Sequence, residues 1–158
     1  MALVVLSVVE QRLDAVPLGR DADGIEVTRH EIGVDGATIA ALRYRAPAPG
    51  RQPVLVYLHG GSFWGGSAAQ LDVLSREYVR ALGCTVLAID YRLAPEHPYP
   101  VAIHDTVATL QHVHDQADAW MLDPSRIVLD GLSAGGAIAA GRGRRVHHPP
   151  ARTGSRPR

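Results

Sequence analysis

The first half of the chain shows a turn between two segments of strand composition. Ile25–Ile32 (IEVTRHEI) and Ile39–Tyr44 (IAALRY) are rich in the residues that strands favour, and Asp35 and Gly36 lie between them as turn residues. The pattern predicts an antiparallel hairpin.

Three apolar runs follow at intervals along the chain. Pro53–His59, Cys84–Asp90 and Arg126–Asp130 are almost unbroken by polar residues. Runs of this kind are typical of strands whose sheet is covered by helices on both faces. They predict three buried strands, the first of them central in a parallel sheet.

Helical periodicity fills the gaps between these runs. Ser67 and Gln70 have the spacing of a capping box, and Gly83 lies where a helix ends. Apolar residues recur at helical intervals in both segments. They are Leu71, Leu74, Tyr78 and Leu82 in the first, and Ile103, Val107, Leu110, Val113 and Ala117 in the second.

A hairpin followed by strand, helix, strand, helix and strand predicts an α/β fold with a mostly parallel sheet. We divide the chain into an N-terminal segment (1–23), a partial α/β domain (24–140) and an Arg/Pro-rich tail (141–158).

Composition limits the class of protein. The chain has 158 residues, 46% of them apolar, which suits one globular domain. It has no apolar run of about 18 residues, and its first residues lack the basic start and cleavage site of a signal peptide. We therefore expect a cytoplasmic protein without a membrane partner, and a buried structural thiol at its one cysteine, Cys84.

Charge is distributed unevenly although the formal net charge is zero. Residues 1–140 contain all 16 acidic residues and ten arginines, whereas residues 141–158 contain six arginines and no acid. Two different kinds of sequence meet near Gly141.

A glycine-flanked serine follows the third predicted strand. Residues 131–135 (GLSAG) fit G-x-S-x-G between a strand and a helical start, which is the context this motif requires. Such a turn projects the Ser133 hydroxyl clear of the sheet and presents helix N-terminal amides to negative charge.

A second small-residue loop, HGGSFWGGS (59–67), follows the first buried strand. Small residues allow backbone amides to approach an acyl oxygen. A phosphate-binding loop is the alternative, but the chain has no G-x-x-x-x-G-K-[ST] motif and no lysine. The carboxyl ends of parallel strands share one sheet edge, so we expect this loop and Ser133 to converge.

Three blocks resemble the hormone-sensitive-lipase-like carboxylesterases of the α/β hydrolases: HGGSFWGG at 59–66, DYRLAPEHPYP at 90–100 and DGLSAGG at 130–136. The resemblance implies an incomplete α/β-hydrolase fold that ends just after the nucleophile elbow. It also implies hydrolysis of small-molecule esters, with short-chain acyl esters as the expected substrates, and no cofactor or metal. It implies Ser133 as nucleophile. It also implies an oxyanion hole in the loop of Gly60, Gly61 and Ser62, with the amides of Gly61, Ser62 and Ala134 as donors and His59 shaping the loop.

Two positions depart from the resembled pattern. Ser62 stands where a third glycine is usual, and Leu132 stands where an aspartate is usual. Phe63 and Trp64 either line a substrate pocket or pack against the sheet, and Arg92 is expected to pair with a carboxylate. Solvated helix positions explain His104, His112 and His114 better than a metal site.

The acid and base of a catalytic triad are missing. In this fold they follow the serine, yet no acidic residue follows Ser133, and His147 and His148 lie in the basic tail. A serine without its base is a weak nucleophile, so we predict that this chain alone is inactive or nearly so.

The tail has two explanations. In a GC-rich gene, a one-base shift at Gly141 would turn the first five codons into codons for Ala, Val, Gly, Asp or Glu, so residues 141–158 are hypothesised to be out of frame. The alternative is a genuine basic tail that touches nucleic acid or membrane by charge alone, without specificity.

Three functions therefore stay open: an ester hydrolase by ancestry, a non-catalytic remnant or basic-tailed binding protein, and an amidase or deacetylase of the same fold. A sheet that stops at Arg126–Asp130 also leaves a strand edge open, so we predict self-association through that edge.

Overall fold

The computed structural model describes residues 13–143. They form one mixed sheet with three α-helices and two short 3-10 turns at Leu13–Ala15 and Ala68–Leu71. The strands are β1 (Gly19–Arg20), β2 (Glu26–Val34), β3 (Ala37–Arg45), β4 (Gln52–Leu58), β5 (Thr85–Ile89) and β6 (Leu122–Gly131). The helices are α1 (Asp72–Leu82), α2 (Val101–Asp115) and α3 (Ala134–Gly143).

The strand order across the sheet is β1-β2-β3-β5-β4-β6. β2 and β3 form an antiparallel hairpin in which Ile32 faces Ile39 across a turn at Asp35 and Gly36. The predicted hairpin is confirmed. It joins the rest of the sheet through an antiparallel pairing of β3 with β5.

The parallel part of the sheet consists of β5, β4 and β6, with β4 in the middle. All five residues of β5 are buried, as are Val54 to Leu58 of β4. The predictions of a central strand at Pro53–His59 and of a buried strand within Cys84–Asp90 are confirmed. The Cys84 thiol is free and buried, and burial raises its pKa.

β6 differs from its prediction in length and in burial. It begins at Leu122 rather than Arg126, and Val128 in its middle is 59% exposed. The prediction of a buried strand here is wrong, because within residues 13–143 only β4 pairs with β6 and its outer side is uncovered.

The first helix begins later than predicted. A 3-10 turn occupies Ala68–Leu71, and the Ser67 side chain makes no capping hydrogen bond. The Asp90 carboxylate instead accepts the hydrogen bond of the Ala68 amide. The predicted end is confirmed, since Gly83 has φ 60° and donates its amide to the Val79 carbonyl.

The buried side of α2 is more polar than predicted. Val113 is buried, and so is Ala117, which the prediction placed in this helix but which follows its end at Asp115, whereas Val107 and Leu110 are only half-buried. The other fully buried positions of α2 are Asp105, Thr106 and Thr109. Both threonine hydroxyls donate to backbone carbonyls four residues earlier, which satisfies them inside the helix.

Two apolar clusters cover the two faces of the sheet. One packs α1 against β3, β4 and β5, and the other packs α2 and α3 against the opposite face. Among residues 13–143, no helix has the length and apolar character needed to cross a membrane. The predicted boundary at residue 141 falls inside α3, and residues 1–12 and 144–158 lie outside the described part.

Candidate active site

Ser133 lies on the tight turn between β6 and α3. Its φ is +50°, a left-handed conformation that L-residues seldom adopt, and its side chain is exposed. The turn is closed by a hydrogen bond of 2.8 Å from the Gly135 amide to the Leu132 carbonyl. Strain of this kind persists only where the surroundings impose it, and it is concentrated at functional sites.

The glycines on both sides of Ser133 allow the turn to pack tightly. A Cβ on Gly131 would lie 2.3 Å from the Gly135 carbonyl carbon, and a Cβ on Gly135 would lie 2.2 Å from the Leu58 carbonyl oxygen. Only hydrogen atoms fit at these positions. The predicted sharp strand-to-helix turn is confirmed.

The loop after β4 is a compact turn with a run of left-handed residues. Gly61, Ser62 and Phe63 have φ values of 129°, 55° and 70°. The amides of Trp64 and Gly65 both donate to the Gly61 carbonyl, at 3.2 and 3.0 Å. The backbone at Ser62 thus adopts an angle that glycine would adopt without strain.

The loop and the serine turn meet at the carboxyl edge of the parallel strands. An ideal Cβ on Gly60 would lie 3.7 Å from the Ser133 Cβ and 3.2 Å from the Leu132 carbonyl oxygen. The Leu132 amide donates to the Leu58 carbonyl at 3.0 Å, which continues the β4 and β6 pairing up to the turn. The predicted convergence of the two segments is therefore observed.

His59 supports the loop from the protein interior. It is 1% exposed, and its Nδ1 hydrogen-bonds the Gly60 carbonyl oxygen at 2.7 Å. Its ring stacks on Tyr91 with 4.2 Å between centroids, and the Tyr91 hydroxyl donates to the His59 carbonyl oxygen at 2.7 Å. Burial lowers the pKa of His59, so the ring is neutral at pH 7 and can donate from one nitrogen only.

The segment 90–100 attaches the loop to α2. Asp105 is fully buried and accepts hydrogen bonds from the Arg92 backbone amide (2.9 Å) and from its Nε (3.0 Å). The expected pairing of Arg92 with a carboxylate is confirmed. The Ala94 amide also donates to the Phe63 carbonyl at 2.9 Å.

Sequence reasoning missed Asp105 and gave Tyr91 no role. An acidic residue within a helix predicts a solvated position, and only the half-buried Arg92 guanidinium beside Asp105 changes that expectation. The sequence signal available for these contacts was the pair Tyr91 and Arg92, which follows the buried strand β5. Tyr91 bonds His59, and Arg92 bonds Asp105.

A cavity of about 460 Å³ opens beside the two loops. Phe63 lines it, whereas Trp64 is 60% exposed and is not among its lining residues. The other lining side chains are mostly apolar. They are Ala94, Tyr99, Pro100, Ala102, Ile103, Ala137 and Ile138, with Arg92, His97 and the backbone of Gly141.

No histidine or carboxylate of residues 13–143 hydrogen-bonds the Ser133 hydroxyl. His147 and His148 lie outside the described residues. His104 and His114 are exposed as predicted, but His112 is half-buried and packs edge-on against Trp120. The prediction of a solvated position is wrong for His112. No group of three or more His, Cys, Asp or Glu residues in this part of the chain could hold a metal ion.

Comparison with known proteins identifies the family to which the chain belongs. Residues 55–149 match the sequence model of a family described as alpha/beta hydrolase fold. The carboxylesterase NlhH of Mycobacterium tuberculosis is 36% identical over 156 residues, which covers 84% of this chain and 49% of NlhH. An acetyl esterase of Salmonella schwarzengrund is 41% identical over 97 residues, covering 61% of this chain and 30% of the relative.

Solved structures show the same likeness. A bacterial heroin esterase superposes with a TM-score of 0.73 at 31% identity, covering 82% of this chain and 49% of the esterase. A hyperthermophilic esterase from Pyrobaculum calidifontis superposes with a TM-score of 0.70 at 37% identity. The match covers 78% of this chain and 38% of that esterase. The chain thus spans about half the length, or less, of the relatives it matches.

Proposed function

Because the chain belongs to the α/β hydrolase fold family, whose members similar to it are carboxylesterases, we propose that residues 24–140 are the nucleophile-bearing half of a carboxylic ester hydrolase. The observation that carries the proposal is the left-handed backbone of Ser133, held against Gly60 of the small-residue loop.

The reaction proceeds through an acyl-serine. The Ser133 oxygen attacks the ester carbonyl carbon and its proton passes to a base. The amides of Gly61, Ser62 and Ala134 donate to the oxyanion of the tetrahedral intermediate. Expulsion of the alcohol leaves the acyl group on Ser133, and water then releases the carboxylic acid.

The base and its orienting acid come from outside residues 13–143. No described side chain contacts the Ser133 hydroxyl in a way that could remove its proton. An unassisted serine reacts slowly, so we expect the chain alone to hydrolyse esters very slowly.

Small apolar esters are the proposed substrates. The cavity beside Phe63 and Ala137 offers an apolar surface for an acyl or alcohol group, next to the turn that carries Ser133. Carboxylesterase and acetyl esterase relatives support an ester over an amide, although an amidase or deacetylase would use the same acyl-transfer groups. The cytoplasmic location stays a prediction.

The experiment compares the purified chain with its Ser133→Ala variant in hydrolysis of p-nitrophenyl butyrate, with and without added imidazole as an external base. We expect a low rate that rises with imidazole more steeply in the unchanged chain than in Ser133→Ala. Ser125→Ala, an exposed serine earlier on β6, is the matched control and should behave like the unchanged chain.

Equal rates for the chain and Ser133→Ala at every imidazole concentration would contradict the proposal and favour a non-catalytic remnant. A high Ser133-dependent rate without imidazole would instead mean that a base is present, and the prediction of near-inactivity would be wrong. Hydrolysis of the matching anilide at a comparable rate would favour the amidase alternative.

A further inference from the structure

The small-residue loop 59–67 contains left-handed residues that are not glycine. Ser62 and Phe63 have φ values of 55° and 70°, next to Gly61 at 129°. Strain of this kind persists only where the surrounding structure imposes it. The contacts that impose this conformation on the loop therefore also set the direction of its amides.

The segment 90–94, which follows β5, contacts the loop at its beginning, in its middle and just past its end. Three hydrogen bonds make these contacts: from the Tyr91 hydroxyl to the His59 carbonyl at 2.7 Å, from the Ala94 amide to the Phe63 carbonyl at 2.9 Å, and from the Ala68 amide to the Asp90 carboxylate. The position of the loop thus depends on the position of segment 90–94.

Asp105 of α2 fixes this segment through Arg92. One of its carboxylate oxygens accepts the Arg92 backbone amide at 2.9 Å, and the other accepts Nη2 at 2.6 Å and Nε at 3.0 Å. The Asp105 side chain is fully buried, and that of Arg92 is 17% exposed. Because the carboxylate binds the main chain as well as the guanidinium, it fixes the path of the backbone in addition to pairing the charge.

Asp35 also lies near this guanidinium, but it cannot take the place of Asp105. Its Oδ2 is 4.0 Å from Nη2 of Arg92, which is beyond hydrogen-bond distance, and its side chain is 68% exposed. A solvated ion pair of this length contributes little. The attachment of Arg92 to α2 therefore rests on Asp105.

We propose that Asp105 is a positioning residue for the oxyanion hole, acting through Arg92 and through the hydrogen bond from the Ala94 amide to the Phe63 carbonyl. The inference rests on the proposed function, in which amides of the loop bind the oxyanion. Phe63 directly follows Ser62, so a displaced Phe63 changes the direction of the amides before it. Asp105 is buried below the loop, and it acts on the transition state only through the donors that it holds in place.

Asp105→Asn tests this role with little change of shape. An asparagine side chain keeps one acceptor oxygen but replaces the other with an amide group that only donates. It can accept from the Arg92 backbone or from the guanidinium in the present arrangement, but not from both. Asp115→Asn removes the same charge from an exposed position of α2, and Val113→Ala removes buried apolar volume from that helix. These two variants are the matched controls for charge and for stability.

Amide hydrogen exchange of the full chain, followed by NMR, measures the effect on the loop whether or not the chain is active. In Asp105→Asn we expect the Ala94 and Gly65 amides to exchange at least about tenfold faster, relative to the amides of β2 and β3. In Val113→Ala a general loss of stability should not favour the loop over those strands. Exchange in Asp115→Asn should match that of the unchanged chain.

Hydrolysis of p-nitrophenyl butyrate at a fixed imidazole concentration, less the rate of Ser133→Ala, measures the effect on the oxyanion hole. We expect the rate of Asp105→Asn at saturating ester to fall at least about tenfold, since complete loss of one oxyanion donor costs about a hundredfold or more in kcat. The ester concentration that gives half of this rate should change less than about twofold, because these donors act in the transition state. Asp115→Asn should keep the rate of the unchanged chain.

Loop amides that exchange no faster in Asp105→Asn than in Val113→Ala, relative to β2 and β3, would overturn the proposal. Equal Ser133-dependent rates in these two variants would overturn it as well, because Asp105 would then act on stability alone. If the unchanged chain has no Ser133-dependent rate, the proposed function fails, and the exchange of the loop amides decides by itself whether Asp105 positions the loop.

Discussion

The Tyr91 hydroxyl donates a hydrogen bond of 2.7 Å to the His59 carbonyl oxygen, and the two rings stack almost in parallel. Both side chains are buried, so this contact joins the segment after β5 to the loop after β4 in the protein interior. The buried Tyr91 therefore stabilises the loop next to Ser133 from the protein interior, without access to substrate.

We expect Tyr91→Phe to lower the free energy of unfolding by about 1–2 kcal/mol, because the stacked ring remains while a buried carbonyl loses its partner. Urea denaturation measures the change. Tyr99→Phe, at a position 85% exposed, should leave stability unchanged. Equal effects of the two substitutions would show that the Tyr91 hydroxyl does not hold the loop.

The backbone at Ser62 suggests a stabilising substitution. Its φ of 55° costs an L-residue roughly 1–2 kcal/mol, and glycine removes that strain while adding a smaller entropy loss on folding. We expect Ser62→Gly to raise the free energy of unfolding by up to about 1 kcal/mol. Ser125→Gly removes the hydrogen bond from the Ser125 hydroxyl to the Asp123 carboxylate and should lower the free energy of unfolding. A loss of stability in Ser62→Gly would show that its side chain has a role of its own.

Close packing makes Gly135 sensitive to a single methyl group. In Gly135→Ala the new Cβ would lie 2.2 Å from the Leu58 carbonyl oxygen, so either α3 or β4 must shift. We expect the free energy of unfolding to fall by at least about 2 kcal/mol. Gly33→Ala, where no atom lies within 4 Å, is the control and should be close to neutral. Similar thermal midpoints for the two variants would contradict the close approach of α3 to β4.

Stability should fall in weak acid. Burial lowers the pKa of His30, His59 and His112 below the ordinary value of 6.5. Below about pH 6.5 the unfolded chain binds protons that the folded chain does not, which favours unfolding. The free energy of unfolding measured with urea should therefore be smaller at pH 5.5 than at pH 7.5.

His112→Gln should reduce that pH difference, because it removes one of the three groups, and His114→Gln at an exposed position serves as its control. A pH difference that is the same in both variants would show that His112 does not contribute to the loss of stability.

Local pattern alone determined much of the architecture. The hairpin around Asp35 and Gly36, the buried run of β5, the end of α1 at Gly83 and the sharp turn at Ser133 all depend on residues adjacent in sequence. Turn chemistry, apolar periodicity and the left-handed preference of glycine act over a few residues, so a sequence displays them directly.

Only the tertiary structure decided which side chains form hydrogen bonds with each other and which of them are buried. Asp90 rather than Ser67 satisfies the first amide of the turn before α1, and Asp105 is buried against Arg92 although a helical aspartate predicts solvation. Val128 is exposed although its strand is apolar, because burial depends on which strands lie beside β6 and not on the residues of β6. Contacts between residues distant in sequence form only when the sheet assembles, and no local pattern records them.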